Sequence, residues 1–473
     1  MGAAPVRRCD GARSARVNGR LLLLIESNTT GTGRQFAQRA AAAGIEPVLL
    51  SADPGRYPYA AEDGLRTVTV DTADPAALWS AVRELAEAAE IAGVLSSSEY
   101  FVATAAEVAA RLGLPGPAAD AVRACRNKTA QRRLLAGAGV PVPGFTEVGE
   151  VAEAVDAAAR LGLPVVVKPV QGSGSVGVRL CASLGEVADH AGTLLAATVN
   201  ERGLAAPTRI LVESYLTGRE FSVEVVGHEA VVTVAKHVGP PPVFVETGHD
   251  LPAALPARRR DALTACAVAA VRVLGLGWGA AHVELRLDGD TPRVIEVNPR
   301  LAGGMIPELV RRACGIDLVT AQVRAAAGLP VTLERDRDAG ASIRFLTVEA
   351  AGTLGPADAV EEALSRAREV PEVVDAALYR APETPVGPAE DFRGRLGHVI
   401  TAGPSTAAAA RAAEEALTRL VGALRPPAEP STVQPPAPTD TAPDHKDRKD
   451  HKDHMDRKDH MDRMDRMDRQ EIV

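Results

Sequence analysis

The chain opens with short runs of apolar and β-branched residues, separated by longer stretches that mix polar and apolar positions. Short runs bounded by turn residues predict buried strands, and the longer stretches predict helices. The predicted strands are Leu21–Ile25, Glu46–Leu50, Thr67–Val70 and Ala92–Ser96. Strands that alternate with helices are typical of a doubly wound parallel sheet, so we expect an N-terminal βα domain over residues 21–126.

Further along the chain, predicted strands follow one another with fewer helices between them. They are Pro164–Pro169, Ile210–Glu213, Glu220–Val226, Ala230–Ala235, Ala280–Leu287 and Arg293–Val297. Consecutive strands favour antiparallel pairing, so we expect an α+β domain over residues 127–334. A strand at Ser342–Glu349 and an Ala-rich helix at Ser405–Leu424 predict a small C-terminal α+β region over residues 335–425.

Both ends of the chain lack these patterns. Residues 1–20 are rich in Arg, and from Asp444 to Asp468 an Asp recurs at every third position. A period of three suits neither helix nor strand, and few apolar side chains are present to offset the entropy of ordering. We therefore expect a flexible extension over 1–20 and a disordered tail over 426–473. The alternative interpretation is a metal-binding tail that uses His445, His451, His454 and His460.

Composition excludes several classes of protein. The net charge of −8 lacks the basic excess of nucleic-acid binders. The early apolar run Leu21–Ile25 is far shorter than the ~20 residues of a membrane-spanning helix. The five cysteines are scattered and form no Cys-x-x-Cys pair, which is typical of reduced thiols. We expect a cytoplasmic protein with neither nucleic-acid nor membrane partners.

A lysine at the end of an apolar strand precedes a glycine- and serine-rich loop. Lys168 follows Val165–Val167, and the loop contains Gly172, Ser173, Gly174 and Ser175. Glycines let backbone N–H groups approach an anion closely, and serine hydroxyls add donors. The loop alone could be an ordinary β-turn, but the neighbouring lysine favours a triphosphate site. It is no Walker loop, since the Gly-Lys-Ser/Thr sequence is missing.

Three oxygen-bearing side chains surround a predicted hairpin turn at Asp288-Gly289-Asp290. Glu284 lies before the turn, and Glu296 and Asn298 lie after it, two positions apart and hence on one face of a strand. Carboxylates placed side by side repel each other unless a cation joins them. The pattern therefore predicts a Mg²⁺ site, because this ion prefers hard oxygen ligands. The alternative is a solvated strand face.

Arg300 follows Asn298 by two residues and precedes Gly303 and Gly304. A guanidinium can hold phosphate oxygens in a bidentate manner and can stabilise a tetrahedral intermediate. The two glycines leave room for a ligand beside the backbone.

Taken in order, these motifs resemble those of the ATP-grasp superfamily from about Leu21 to Leu424. The resemblance implies ATP and Mg²⁺ as cofactors, with Mn²⁺ as a possible substitute. The residues that it places on ATP are Lys128 and Lys168 at the phosphates, the loop residues Gly172 to Ser175, Glu213, Tyr215 and Leu216 at the adenine, and Glu220 at the ribose. The metal ligands that it implies are Glu284, Glu296 and Asn298.

Within that superfamily the chain is most similar to the amino-acid (dipeptide-forming) ligases. The stretch Phe244 to His249 resembles their substrate loop, which implies that Glu246 and His249 face the substrate beside Arg300, Gly303 and Gly304. An ordinary, satisfied loop histidine is the alternative for His249. Biotin carboxylases carry Gln-Val-Glu-His where this chain has residues 302–305 as Ala-Gly-Gly-Met, which argues against carboxylation of biotin.

The resemblance implies a carboxylate–amine ligase that forms an amide through an acyl phosphate and releases ADP and phosphate. Lys168 and Arg300 are the expected catalytic residues, the substrates are expected to be a small carboxylate and an amine, both amino acids, and a homodimer is a family-level expectation. Two alternatives stay open. One is a purine- or carboxylase-type enzyme that uses bicarbonate or formate, and the other is a non-catalytic ATP-binding protein.

Overall fold

The computed structural model describes residues 19–29, 32–200 and 203–425. The predicted tail lies outside these residues, as does the predicted N-terminal extension apart from its last two residues. Of those two, Arg20 already belongs to the first strand.

A four-stranded parallel sheet forms the N-terminal region and confirms the predicted doubly wound layout. Its strands lie in the order β3-β2-β1-β4. They are β1 (Arg20–Ile25), β2 (Glu46–Ser51), β3 (Arg66–Thr69) and β4 (Glu90–Leu95), with helices α1 (Thr32–Ala42), α2 (Pro58–Glu62), α3 (Pro75–Ala88) and α4 (Val102–Arg111). The strand order reverses at β1, so the segments that follow β1 and β4 share one edge of the sheet.

Two helices lead from this sheet into a second, antiparallel sheet with the order β5-β8-β6-β7. The helices are α5 (Ala119–Arg126) and α6 (Lys128–Gly137); the sheet contains β5 (Phe145–Val148), β6 (Val165–Pro169), β7 (Arg179–Cys181) and β8 (Ile210–Ser214), with α7 (Val151–Leu161) and α8 (Leu184–Ala196). Val165 and Val167 are fully buried in a core with Ala154, Ala157 and Ala191 of the two helices. Strand β6 is thereby fixed, and Lys168 lies at its end.

An eight-stranded sheet is the largest element, with the order β13-β12-β9-β10-β11-β14-β18-β16 and only antiparallel pairings between these strands. The strands are β9 (Glu220–Val226), β10 (Glu229–Val238), β11 (Glu246–Leu251), β12 (Ala280–Asp288), β13 (Thr291–Asn298), β14 (Gly340–Leu346), β16 (Val373–Leu378) and β18 (Gly397–Gly403). Its hydrogen bonding runs without interruption across the expected boundary at residues 334 and 335.

The remaining elements cover and extend this sheet. They are α9 (Ala257–Val273), α10 (Ile306–Cys314), α11 (Leu318–Ala326), α12 (Ala357–Arg368) and α13 (Thr406–Leu420), and a small sheet of β15 (Gly352–Leu354), β17 (Pro385–Val386) and β19 (Leu424–Arg425). Leu22 and Leu24 of β1 share one apolar core with Leu309 and Val310 of α10 and with Ile343 of β14. No helix among the described residues is long and apolar enough to cross a membrane.

Several elements differ from the sequence predictions. No helix was predicted at α4, α5 or α8, although each of them has apolar residues on one buried face. The predicted C-terminal helix ends at Leu420 rather than Leu424, which instead begins β19. The stretch that resembles a substrate loop is a central strand from Glu246 onward, β11, bonded to β10 and β14. Polar residues in that strand conceal its period of two.

Candidate active site

A cleft is formed by residues of both antiparallel sheets and of α6. All of the residues predicted to contact ATP or Mg²⁺ line it, together with two of the predicted substrate residues. They are Lys128, Lys168, Gly172, Ser173, Gly174, Ser175, Glu213, Tyr215, Leu216, Glu220, Glu246, Glu284, Glu296, Asn298 and Arg300. The sequence motifs, which are up to 172 positions apart (300 − 128), therefore meet at one place.

Lys168 projects from the end of β6 into a fully buried charged cluster. Its Nζ lies 2.5 Å from Oε2 of Glu213 on the neighbouring strand β8. The other carboxylate oxygen, Oε1, accepts a 2.7 Å hydrogen bond from Nε of Arg132. Burial lowers the pKa of Lys168, and the single carboxylate of Glu213 offsets this only in part, since Arg132 and Lys128 are also nearby.

Lys128 is the first residue of α6, where Asn127 caps the helix by accepting a 2.9 Å hydrogen bond from the Ala130 N–H. Its Nζ donates to the carbonyl of Gly172 at 3.2 Å, so it holds the glycine- and serine-rich loop. The same Nζ lies 2.9 Å from Oε1 of Glu296. Lys128 thus joins the loop to the carboxylates of the large sheet.

Strands β12 and β13 form the predicted antiparallel hairpin, and Glu284 and Glu296 are direct cross-strand partners in it. Val283 and Val297 are fully buried on the opposite face, so the carboxylates point toward the cleft. Asn298 lies two residues beyond Glu296 on the same strand face. Two carboxylates and one amide oxygen on one wall are a donor set that suits Mg²⁺, with phosphate oxygens to complete it.

A buried lysine that the sequence motifs missed lies beside these carboxylates. Nζ of Lys236 on β10 is 2.6 Å from Glu246, 2.9 Å from Glu284 and 3.1 Å from Glu220. Burial by itself lowers the pKa of Lys236, but the three carboxylates hold it well above its ordinary value. A lysine directly after the buried residues Val234 and Ala235 was the available signal.

Arg300 is held by a carboxylate from the N-terminal region that sequence reasoning also missed. Glu99, in the segment after β4, accepts a short hydrogen bond from Nε of Arg300 and a 2.8 Å bond from Nη1 of Arg126. Burial by itself raises the pKa of Glu99, but the charges of Arg300 and Arg126 lower it to about 2. Glu99 is therefore ionised and fixes one side of the Arg300 guanidinium.

Glu246 begins β11 and lies between two cations, Lys236 on one side and Arg395 on the other at 2.7 Å. Burial raises the pKa of Glu246, and these two positive charges reverse the effect and hold it well below its ordinary value. Its carboxylate is ionised and faces the cleft.

His249 does not line the cleft, contrary to the expectation that it faces the substrate there. The ring is fully buried, and neither of its nitrogens has a hydrogen-bond partner among the described residues. Burial lowers the pKa of His249 to about 3, so the ring is neutral. Its Nε2 packs against Gly304, where an added Cβ would lie 2.5 Å away, and this contact explains a glycine with φ of +57°. Gly303 and Gly304 likewise do not line the cleft, contrary to the expectation that they face the substrate there.

One part of the cleft is aromatic. The ring centroids of Tyr215 and Phe244 lie 6.3 Å apart, and the guanidinium of Arg286 lies about 5.5 Å from each. Arg286 also donates to the carbonyl of Leu216 at 2.7 Å and pairs with Glu220 at 3.0 Å. Aromatic rings beside a backbone segment and a few polar groups are suited to a nucleobase.

Three stretches of the chain match known protein families. Residues 161–308 match the ATP-grasp domain, residues 37–116 match the ATP-grasp N-terminal domain, and residues 344–423 match L-amino acid ligase C-terminal domain 2. With the cleft described above, these matches define the class: the chain belongs to the ATP-grasp superfamily and is an ATP-dependent carboxylate–amine ligase, an enzyme that forms C–N bonds.

The chain is also similar to individual proteins over half of its length or more. The chain is 36% identical over 405 residues to the uncharacterized protein y4rH of Sinorhizobium fredii, covering 86% of this chain and 83% of that protein. It is 33% identical over 255 residues to carnosine synthase 1 of Gallus gallus, covering 50% of this chain but only 27% of the synthase.

Among solved structures, the L-amino acid ligase of Bacillus licheniformis is similar with a TM-score of 0.71 at 25% identity, covering 86% of this chain and 98% of that one.

Proposed function

We propose that this chain is an L-amino-acid ligase that joins the carboxylate of one amino acid to the amine of another, with conversion of ATP to ADP and phosphate. One observation supports this most directly: Glu284 and Glu296 are cross-strand partners on a cleft that also contains Lys128 and Lys168. This arrangement suits a metal–nucleotide complex. The similarity to an L-amino acid ligase over most of the chain supports the substrate class.

The cleft then has two ends. The phosphate end consists of Lys128, Lys168 and the loop 172–175, with Glu284, Glu296 and Asn298 as the residues that would hold Mg²⁺. The bound metal supplies charge neutralisation at the transferred phosphoryl group. The substrate end consists of Lys236, Glu246 and Arg300, with His249 and Gly303–Gly304 behind it. Tyr215, Leu216 and Glu220 bind the nucleoside.

At the phosphate end, transfer of the γ-phosphoryl group breaks its bond to ADP and forms a bond to a carboxylate oxygen of the acid. The amine then attacks the carbonyl carbon, phosphate leaves, the nitrogen loses a proton, and an amide results. Lys168 and Arg300 neutralise developing negative charge, which positioned cations do with no reorganisation at the moment of reaction. The acyl phosphate must be shielded from water, so the glycine- and serine-rich loop between β6 and β7, which contains residues 172–175, is the proposed lid.

At the substrate end, the ionised Glu246 attracts the ammonium group of the acid substrate. The neutral His249 supports the backbone at Gly304 and carries no charge that would repel that ammonium. We also propose the domain division at residues 126/127 and at 334/335, where the sequence divides but the eight-stranded sheet continues. A homodimer and a cytoplasmic location are further parts of the proposal. Free thiols at Cys125, Cys181, Cys266 and Cys314 support the location.

A screen of amino-acid pairs tests the proposal. Purified protein with ATP and Mg²⁺ should release ADP and phosphate in equal amounts, and mass spectrometry should detect a dipeptide from at least one pair. Release of AMP instead of ADP, or no product with any amino-acid pair, would overturn the proposal. ADP release with bicarbonate or formate and no amino acid would favour the purine- or carboxylase-type alternative. ATP binding without turnover would favour a non-catalytic protein.

A further inference from the structure

A short segment of the C-terminal region reaches the cleft at two separate points. It comprises residues 391–395 and is referred to here as the 391–395 segment. A single 3₁₀ turn, Phe392–Gly394, forms its centre, and Asp391 caps this turn by accepting a 2.8 Å hydrogen bond from the Arg393 N–H. The turn therefore presents Phe392 and Arg395 in a fixed relation to each other.

The first contact is with the proposed lid. The N–H of Phe392 donates to the carbonyl of Gly174 at 3.3 Å. Gly174 has a φ of +64°, and a Cβ on it would lie 2.3 Å from Cδ1 of the Phe392 ring. Only glycine satisfies both the backbone conformation and the close approach of the ring. The loop is thus contacted at Gly174 by the Phe392 ring, which is 42% exposed and belongs to no motif of the ATP-binding region.

The second contact is with the acid of the substrate end. Arg395 donates from Nε to the carbonyl of Glu246 at 3.0 Å and from Nη2 to its carboxylate at 2.7 Å. The guanidinium is 10% exposed and packs 4.0 Å above the ring of Phe345. Bonds to both the backbone and the side chain of one residue fix its position and its rotamer.

The sheet explains how Arg395 reaches Glu246 across an intervening strand. Gly248 of β11 is opposite Arg344 of β14, so the same register continued by two residues brings Glu246 level with Leu346. Leu346 is in turn opposite Gly397 of β18. The residues just before β18, which include Arg395, therefore lie level with the start of β11. The long side chain of Arg395 passes the end of β14 and so reaches Glu246.

We propose that the 391–395 segment is a positioning segment of the active site, in which Arg395 aims Glu246 at the substrate and Phe392 keeps the lid closed over the acyl phosphate. The inference rests on the proposed ligase function. Water and the amine compete for the acyl phosphate: the amine gives amide and phosphate, whereas water gives back the acid and phosphate. A loosened lid therefore raises ADP release without raising amide formation.

The first experiment measures ADP released per amide formed, using the full chain, ATP, Mg²⁺ and the amino-acid pair that gives most dipeptide in the screen. The wild-type ratio should be about one, and Phe392→Ala should raise it about threefold or more. Phe392→Leu keeps an apolar side chain against the lid and should lie between the two. If Phe392→Ala lowers the melting temperature, Phe392→Leu alone decides the outcome.

The second experiment separates the two substrates by their KM values. Arg395→Ala should raise the KM for the acid about tenfold, because Glu246 loses one of its two cationic partners. The KM for ATP should change by less than about twofold. Arg395→Lys keeps the charge but cannot bridge both oxygens, so it should recover part of the loss. Arg366→Gln, which removes an exposed ion pair with Glu362 in the same region, is the control and should match the wild type.

A ratio of one in every variant, with an unchanged KM for the acid, would show that the segment is only structural and overturn this inference. A wild-type protein that forms no amide with any pair would overturn the ligase proposal itself, and this inference with it. A fall in kcat with both KM values and the ratio unchanged would also contradict the segment's role.

Discussion

The two ends of the cleft each bury a lysine, and the two lysines have opposite electrostatic surroundings. At the phosphate end, Lys168 has one carboxylate, Glu213, and two cationic neighbours, and its pKa is lowered. At the substrate end, Lys236 has three carboxylates, and its pKa is raised well above the ordinary value. Burial is complete for both, so the number of neighbouring carboxylates decides the direction of the shift.

The comparison indicates different roles for the two cations. The positive charge of Lys168 is under-compensated, so an added polyanion such as a triphosphate completes its surroundings. Lys236 is already surrounded by negative charge, and its part is to hold Glu220, Glu246 and Glu284 together on adjacent strands. A cation that binds ligand and a cation that organises carboxylates are therefore distinguished by their neighbours rather than by depth of burial.

The largest expected effect is on the phosphate end. Lys168→Ala should lower kcat/KM for ATP by about 10³-fold, because it removes a cation from the transferred phosphoryl group. The measurement is ADP release at saturating acid and amine. Arg209→Ala, which removes an exposed ion pair with Glu147 on the neighbouring strands, should leave the rate unchanged. Equal rates for Lys168→Ala and wild type would contradict the assignment of this end to phosphates.

The next largest effect is on stability at the substrate end. Lys236→Met takes the shared cation from three largely buried carboxylates, each of which keeps one other partner, and should lower the free energy of unfolding by about 3 kcal/mol. Urea denaturation followed by circular dichroism measures it. An unchanged midpoint of urea denaturation would mean that water, and not Lys236, compensates the carboxylates. Lys236 and Lys168 would then not differ in their electrostatic roles.

Glu99 has the reverse arrangement to Lys236: it is a buried carboxylate between two guanidiniums, those of Arg126 and Arg300. Glu99→Gln keeps the shape but loses the charge that fixes Arg300, so kcat should fall about 10- to 100-fold while the KM for ATP changes by less than about threefold. Glu99→Asp should recover part of the rate. Glu107→Gln, at an exposed ion pair with Arg123, is the matched control. A change in the KM for ATP alone would contradict this role.

The smallest effect concerns His249, whose Nε2 has one nearby carboxylate, Glu246 at 3.7 Å, where Lys236 has three. Its pKa is about 3 in the folded protein against an ordinary 6.5, so between these values the unfolded chain binds one more proton. Stability should therefore fall as pH decreases below 6.5, by up to about 1.4 kcal/mol per pH unit from this group. The free energy of unfolding, measured by urea titration at several pH values, should depend less steeply on pH for His249→Gln than for the wild type. Identical slopes would mean that the ring is paired or protonated in solution.

Local patterns predicted the phosphate end well. These are the apolar strand before Lys168, the glycine- and serine-rich loop, and the hairpin from Glu284 to Asn298. Each lies within about 15 consecutive residues, so its geometry follows from the period and the turn chemistry of that stretch. The roles of these residues stay predictions. The substrate end was predicted less well, because a strand with polar residues on both faces was interpreted as a loop and His249 was expected on the cleft wall.

The sequence by itself determined the strand and helix alternation of the N-terminal sheet, the hairpin that brings Glu284 opposite Glu296, and the motifs of the ATP-grasp superfamily. Only the tertiary structure decided that Glu99 reaches Arg300 and that Arg395 reaches Glu246, contacts that span 201 and 149 positions. The physical reason is that turn chemistry and periodicity act over a few residues. Pairing between distant buried charges depends instead on sheet order and register, which the packing of the whole core selects.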